Sequence, residues 1–495
     1  MAYNGFAIDK YLDAEAVSRK LDELIEKPIY GVKPDALYLY ETEYFDKKCS
    51  RSKEMIQEAK NIIPGGVQHN LAFNYPFPIV ITKAEGAKLY DADGNWYYDL
   101  LQAGGPTVLG SNPEIIREKV IDLLNTCGPS TGLFHEYEYK LAKKVSDLVP
   151  SVEMFRMLGS GTEACMCAAR VARLKTGNKN ILKMGGAYHG WSDMLAYGIR
   201  IPGTKGLQSR GIPNYAFSHT QEFMPGDLED LERKLRKNKL NGGTAAVYIE
   251  PVGPESGTWP VTREFIRGTE ELAHKYGALL IFDEVVTGFR IGTSGAQGYF
   301  GVDPDLTIFG KVIAGGYPGA GGIGGHRDCM QHLGAGLDST GKKVKKALCG
   351  GTMAATPISC CAGYYTLEEI EKTNACEKAG RMADRLTEGI RNSARKHGLP
   401  FVIFNQGSIC HVDTVGTMHF KIDWSKPWQL PKVLKETSRR QKEMEHIGAA
   451  YMAEGIITLA GSRLYTSAAY DEAMIDDVIE RFDRVFSKCG KLSPR

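Results

Sequence analysis

Lys311 sits among glycines and apolar residues, in DPDLTIFGKVIAGGYPGAGGIGGH, between Ile308-Phe309-Gly310 and Val312-Ile313-Ala314. Desolvation of an ammonium group in such surroundings lowers its pKa. A neutral amine can condense with an aldehyde and later move protons as a base. Most lysines are solvated surface groups, so Lys311 gains meaning only in company. A second feature is HKYGALLIFDEVVTGFR, where the apolar run Ala278 to Phe282 delivers Asp283 and Glu284 together. Two carboxylates at the end of a buried strand need partners, because an unpaired buried charge is costly. A protonated ring nitrogen on a cofactor is one such partner; an ion pair with a nearby arginine such as Arg290 is the plainer one.

The third feature is MFRMLGSGTEACMCAARVARLKTG, in which Gly159-Ser160-Gly161-Thr162 sits where a strand gives way to a helix. Free amides and the positive end of the helix dipole would cradle a phosphate there. The same turn also serves as a plain strand-to-helix link. It lacks the Lys-Ser/Thr of a phosphate loop and the spaced glycines of a dinucleotide site. A Schiff-base lysine, an acid for a pyridine nitrogen and a phosphate cradle are together what pyridoxal phosphate (PLP) requires.

The elements that would position these residues are legible from pattern. The first sixty or so residues read as helix and loop, ended by Ile63-Pro64-Gly65-Gly66. PIVITKAEGAKLYDADGNWYYDL reads as a hairpin turning at Asp91-Ala92-Asp93-Gly94-Asn95. From about residue 113, helical segments (PEIIREKVIDLLN, EYEYKLAKKVSDLV, EACMCAARVARLKTG) alternate with the apolar runs MFRML, NILKM, TAAVYIE and ALLIFDE. Such alternation implies an α/β fold with a mostly parallel sheet covered on both faces. Right-handed crossovers then gather the loops that follow the strands along one edge, where ligands bind. A Gly-rich passage, GAGLDSTGKKVKKALCGGT, precedes the helical PISCCAGYYTLEEIEK, and a smaller helix-plus-strand region runs from about residue 375 to the end. The expected division is 1–110 as an N-terminal extension and part of a small domain, 111–370 as the large domain, and 371–495 as the rest of the small domain.

Composition narrows the class of function. The chain has 495 residues, 43% apolar and 24% charged, with net charge +2, which is ordinary for a soluble protein of more than one lobe. The balance gives no basic face for nucleic acid and no acidic tail. The N-terminus is polar and no apolar stretch approaches a membrane span. The 11 cysteines show no Cys-x-x-Cys spacing, so no metal is expected, and the odd number suits free thiols in a reducing cytoplasm.

The ordered stretches IIPGGV, GSGTEACMCAARVARLKTG, GGAYHGW, YIEPV, LLIFDEVVTGFR, PDLTIFGKVIAGGYP, GGIGGH and CGGTMAATPISCCAG resemble the class III aminotransferases of PLP fold type I. The resemblance covers roughly residues 50–370, more weakly the C-terminal part, and is nearest the branch containing glutamate-1-semialdehyde aminomutase. It implies a large domain with a seven-stranded-type, mostly parallel sheet and a smaller α+β domain. It implies that Lys311 forms the Schiff base and shuttles protons, and that Asp283 holds the pyridine nitrogen protonated. Val285 and Tyr188 would cover the two ring faces. Ser160, Gly161 and Thr162 would bind the phosphate, with Glu250 also in the cofactor-binding set. Gly351-Thr352 of a neighbouring subunit would complete the phosphate site, which makes a homodimer with shared active sites the expected assembly. The lesser alternative is that Tyr188 and Val285 are ordinary core residues.

Three stretches depart from the aminomutase pattern. The loop after Ile-Pro-Gly-Gly reads Val67-Gln68-His69-Asn70-Leu71-Ala72-Phe73, with Leu71 near the place of an arginine that grips a substrate carboxylate. Without that guanidinium the bidentate partner of a carboxylate is missing. Gln68, His69 and Asn70 could bind a neutral or amine-bearing group or be plain loop residues. Glu255 in VGPESG, and His135 and Glu136 in TGLFHEYEY, add an acid near the pocket, which would favour a substrate with a second amine. The N-terminal extension and an insertion around 405–445 fit no function readable from sequence. The leading reading is an aminotransferase acting on an amino acid or amine and a keto acid or aldehyde. The second is a PLP-dependent isomerase, either aminomutase or racemase, and a third is a protein of this fold that only binds.

Overall fold

Short apolar runs without alternation become strands, and the four runs above do so, three of them (NILKM, TAAVYIE and ALLIFDE) buried on both faces. The computed structural model describes residues 3–334, 337, 341–343, 345–420, 422 and 424–493. Its central sheet has seven strands: β1 (Met154–Leu158), β2 (Asn180–Met184), β3 (Thr220–Phe223), β4 (Thr244–Ile249), β5 (Leu279–Glu284), β6 (Leu306–Gly310) and β7 (Gly321–Gly325). Their order is β1-β7-β6-β5-β4-β2-β3. β3, β2, β4, β5 and β6 run parallel, and β7 is antiparallel to both of its neighbours, β6 and β1. Every residue of β2, β4, β5 and β6 is buried.

β7 is made of GGIGG, a sequence with little strand preference. Its glycines are required by close approach. A Cβ on Gly321 would lie 2.3 Å from the Ser160 carbonyl oxygen, and one on Gly322 2.7 Å from the Phe155 ring. β7 therefore presses directly on the backbone of the turn after β1.

The helix Gly161–Thr176 packs small residues (Ala164, Cys165, Ala168, Ala169, Ala172) against the sheet. It starts at the N-cap Ser160 and stops at left-handed Gly177. The expected helices near 114, 136 and 357 appear as Glu114–Thr126, Glu136–Leu148 and Pro357–Thr373.

Smaller sheets tie together distant parts of the chain. Ile81–Glu85, Lys88–Asp91 and Trp96–Asp99 form an antiparallel meander, so the expected hairpin has one strand more than its turn announced. Ile456–Ile457 adds to it in parallel beside Trp96–Asp99. Tyr30–Val32 pairs with Cys489–Lys491, and Val402–Gln406, Ile409–Asp413 and Arg463–Tyr465 form a three-stranded antiparallel sheet. In the last, His411 lies opposite Arg463. Among the described residues no helix is long and apolar enough to cross a membrane.

Candidate active site

The residues singled out from the sequence follow the carboxyl ends of parallel strands: Ser160 after β1, Tyr188 after β2, Glu250 after β4, Asp283 at the end of β5 and Lys311 directly after β6. This is the edge at which open α/β sheets bind ligands.

Lys311 has φ of +49°, a left-handed conformation that a side chain adopts only when its surroundings hold it there. The protein encloses its amine, and desolvation lowers the pKa below that of an ordinary lysine, against the opposing pull of Asp283, Glu250 and Glu255. The nearby charge of Arg463 lowers it further. Gly105 abuts the lysine stem: a Cβ there would sit 3.5 Å from Lys311 Cδ.

Asp283 is 4% exposed. Its Oδ2 contacts His189 Nδ1 at 2.8 Å and accepts from Cys165 Sγ at 3.5 Å, while Oδ1 accepts from the Val285 amide at 3.0 Å. Burial lowers the His189 pKa, so the neutral ring donates through Nδ1 to the carboxylate. Burial also pushes the Cys165 thiol well up, leaving it a donor. The Cys165, His189 and Asp283 ligand atoms lie within 4.8 Å of one another.

Arg290 does not pair with either acid. Its guanidinium donates to the Gly105 carbonyl at 2.9 and 2.7 Å, to Ser408 Oγ at 3.0 Å and to the Thr466 carbonyl at 2.9 Å. Glu284 finds its partners among donors of the following turn instead: the Ala296 and Gln297 amides, Gln297 Nε2 and Thr287 Oγ1, at 2.7–3.0 Å. Of the two partners weighed for these acids, the Arg290 ion pair is not made, because Glu284 caps a local turn while Arg290 spans to remote carbonyls.

At the cradle, Ser160 Oγ accepts from the Glu163 amide at 3.2 Å and the Ser160 carbonyl from the Ala164 amide. The amides of Gly161 and Thr162 are left without an acceptor inside the helix. Glu163 folds back to take the Gly159 amide at 3.0 Å. A Cβ on Gly161 would meet Val285 at 2.9 Å and one on Gly310 would meet it at 2.8 Å, so Val285 lies between the cradle and the end of β6. Tyr188 keeps 48% of its surface exposed, and its amide donates to Glu250 at 2.9 Å. Glu250 also accepts the Glu255 and Ser256 amides at 3.0 and 2.7 Å, so it ties two loops together. Burial, then the charges of Asp283 and Glu255, push its carboxyl up to about 8. Thr352 is exposed, and neighbouring Gly351 comes close to Glu163 of the same chain.

Besides His189 and Cys165, two further groups escaped the sequence reading. Arg463, from the remote Arg463–Tyr465 strand, pairs with Glu255: Nη2 lies 3.1 Å from Oε2 and Nη1 donates to the Glu255 carbonyl at 2.9 Å. Its buried Nε has no acceptor among the described residues. The acid that seemed available for a substrate amine is thus already engaged. Leu71 itself packs 3.1 Å from where a Gly104 Cβ would lie. The second is Lys183, fully buried, whose Nζ donates to the Ala187 and Tyr197 carbonyls at 2.8 and 2.7 Å. It braces the loop that carries Tyr188 and His189. Only a lone lysine inside a strand marked it in the sequence.

His69 and His135 do local work. His69 Nδ1 accepts the Leu71 amide and His135 caps the helix Glu136–Leu148 with Glu138 closing a capping box. Glu136 pairs with Lys140 one turn on.

Residues 71–485 match the family profile described as aminotransferase class-III. Two curated relatives, each named glutamate-1-semialdehyde 2,1-aminomutase 2, come from Brevibacillus brevis and Bacillus pumilus. They are 35% and 36% identical, each alignment spanning 89% of this chain and 99% of the relative. Among solved structures, an omega-transaminase from Sphaerobacter thermophilus superposes with TM-score 0.77 at 25% identity, covering 90% of this chain and 99% of that one. A glutamate-1-semialdehyde aminomutase from Pseudomonas aeruginosa shares the fold with TM-score 0.74 at 19% identity, covering 96% and 99%.

Proposed function

The chain belongs to the class-III aminotransferase family, and from that premise we propose that it transfers an amino group between an amino acid or amine and a keto acid or aldehyde. The family's cofactor is pyridoxal 5'-phosphate, and the donor set fits it. The free first-turn amides of Gly161 and Thr162 with the Ser160 hydroxyl suit a phosphate. The glycines at 161 and 310 leave a slot beside Val285 that a Cβ would fill. In this reading Asp283 holds the ring nitrogen, Val285 and Tyr188 lie on the two ring faces, Glu250 fixes the loops around them, and Thr352 from a second copy of the chain closes the phosphate site. When bound, the cofactor supplies an aldehyde for the lysine and a ring that draws electrons from the substrate carbon.

The protein's own groups do the rest. Lys311 Nζ, whose pKa burial lowers, takes the proton from the substrate carbon and returns one. His189 and Cys165 donate to Asp283, which holds the carboxylate in place. Arg463 receives a substrate carboxylate by exchanging it for Glu255, which holds Nη2 at 3.1 Å.

The observation that carries transfer over isomerisation is the Glu255–Arg463 pair beside Lys311. A transferase must admit two different substrates in turn. An arginine that a neighbouring acid can neutralise accepts a carboxylate when one arrives and stays paired when none does. An isomerase, with one substrate, needs no such exchange. The second reading, an aminomutase, rests on the names of the two relatives above, both more than a third identical to this chain. Assaying donors with and without a distal carboxylate, in wild type and Arg463→Gln, separates the two. Transfer requires that the variant lose only carboxylate-bearing substrates; equal loss on every substrate would refute the exchange role.

A further inference from the structure

The loop Gly253-Pro254-Glu255-Ser256-Gly257 follows Glu250 at the end of β4, and its backbone is held against its own preference. Glu255 and Ser256 have φ of +52° and +59°, between Gly253 at +105° and Gly257 at +88°. Two successive residues with side chains adopt the left-handed region only where their surroundings impose it. The amide side is fixed from the large sheet, since Glu250 accepts both amides. The carbonyl side is fixed from the three-stranded sheet. Arg463 Nη1 donates to the Glu255 carbonyl at 2.9 Å and to Ser256 Oγ at 3.2 Å. His411 Nε2 lies 3.1 Å from the Ser256 carbonyl; a carbonyl only accepts, so the ring carries its proton on Nε2. His411 is buried and stacks on Phe404, with ring centroids 4.7 Å apart and 18° between planes. Gln406, on the same sheet, donates to the Val252 carbonyl at 2.9 Å and leaves no space for a Cβ on Gly257.

We propose that His411 is a positioning residue for substrate selection: by holding the Ser256 carbonyl it keeps the loop left-handed and so presents the Glu255 carboxylate to Arg463. The inference rests on the exchange of Glu255 for a substrate carboxylate proposed above, and names a group that sets its balance. Glu255 meets one guanidinium twice, its carbonyl at Nη1 and its carboxylate at Nη2. Both contacts depend on the orientation of the peptides on either side of Ser256. Without the His411 bond the Ser256–Gly257 peptide is free to rotate, the two residues return to ordinary φ, and the carboxylate leaves the arginine. The ring acts as a neutral donor, because burial and then the charge of Arg463 bring its pKa down to about 3. A cation at this position would stand opposite Arg463 on the neighbouring strand and repel it. Phe404 lies opposite His411 on the other side, so the stack fixes the direction in which Nε2 points.

The test compares, in the holoenzyme, kcat/KM for amino donors with and without a distal carboxylate. His411→Phe keeps a stacking ring and removes the donor. It should move preference about fivefold toward carboxylate-bearing donors, the direction expected of Glu255→Gln. Because His411 acts through Glu255, the double variant should lie within about twofold of Glu255→Gln alone. Additive effects would overturn the proposal. His411→Gln supplies a donor of similar reach and should keep preference within about twofold of wild type; a shift as large as that of His411→Phe would also overturn it. Hydrogen exchange followed by mass spectrometry gives a readout independent of turnover. The Glu255 and Ser256 amides should exchange about tenfold faster in His411→Phe than in wild type, and unchanged protection would show that His411 does not hold the loop. If Arg463→Gln loses every substrate equally, the exchange and the selection role of His411 fall together, while hydrogen exchange still decides whether His411 fixes the loop.

Discussion

Asp283 and Glu284, adjacent at the end of one strand, and Arg463 and Glu255, 208 residues apart in sequence, are two ways of placing charge around Lys311. The first pair is fixed by near neighbours. Glu284 is saturated by donors within the next 13 residues, and Asp283 is held by the Val285 amide, His189 and Cys165, with an acceptor site left for the ring nitrogen of the proposed function. The second pair bridges two chain segments and leaves the buried Arg463 Nε without an acceptor among the described residues. Rigid, fully satisfied groups suit the invariant part of a reaction, and an ion pair with spare bonding capacity suits the part that changes with substrate. Under the proposed function, the floor of the site carries the chemistry and the rim the choice of substrate.

That division can be broken by substitution. Lys311→Ala removes the amine altogether and should lower turnover on the order of 10⁴-fold or more on every substrate, measured by amino-donor consumption; a modest loss would remove Lys311 from the chemistry. Asp283→Asn keeps shape and loses charge. It should retain bound cofactor, read from absorbance of the gel-filtered protein, while activity falls roughly 10³-fold. If its rate matched wild type, the acid would be structural. At the rim, Arg463→Gln should reduce kcat/KM about 100-fold for carboxylate-bearing substrates only, as expected for a lost charge-assisted hydrogen-bond pair. Glu255→Gln should move preference about tenfold toward those same substrates by releasing the arginine. A uniform effect of either change would erase the distinction between floor and rim.

The pH dependence sharpens it. Burial lowers the Lys311 pKa, so the neutral amine is gained as pH rises through a value below that of an ordinary lysine, about 10.4. The rate at which cofactor-free protein recaptures pyridoxal phosphate should rise with pH and level off below that value. A limb that still climbs at the ordinary lysine value would mean that the amine is solvated.

The parts of this molecule that could be read in advance are those whose signal is local. β1, β2, β4 and β5 are apolar runs, the turn at Ser160 carries its own cap, and Lys311, Asp283 and Gly161 fall within short stretches of distinctive residues. β7 could not be read from pattern, because GGIGG has one side chain and is a strand only because Ser160 and Phe155 leave no space for more. Gly321→Ala offers the smallest of these tests: about 2 kcal/mol of stability lost from overpacking, seen in thermal unfolding, with substrate preference unchanged. Arg463 was missed for another reason. Its strand reaches the site through pairing with Ile409–Asp413, and nothing in RLYTS announces a partner 208 residues earlier. Arg290 and Glu284 show the converse error, in which proximity in sequence suggested an ion pair that the fold does not make.

The most direct test of amino transfer is the visible spectrum of the purified holoprotein, followed during addition of a single amino donor with no acceptor present. Transfer requires the yellow form to be replaced stoichiometrically by the colourless aminated cofactor, and restored when a keto acid or aldehyde is added. A spectrum that shifts reversibly across a panel of donors without accumulation of aminated cofactor, while the donor is recovered isomerised, would contradict it.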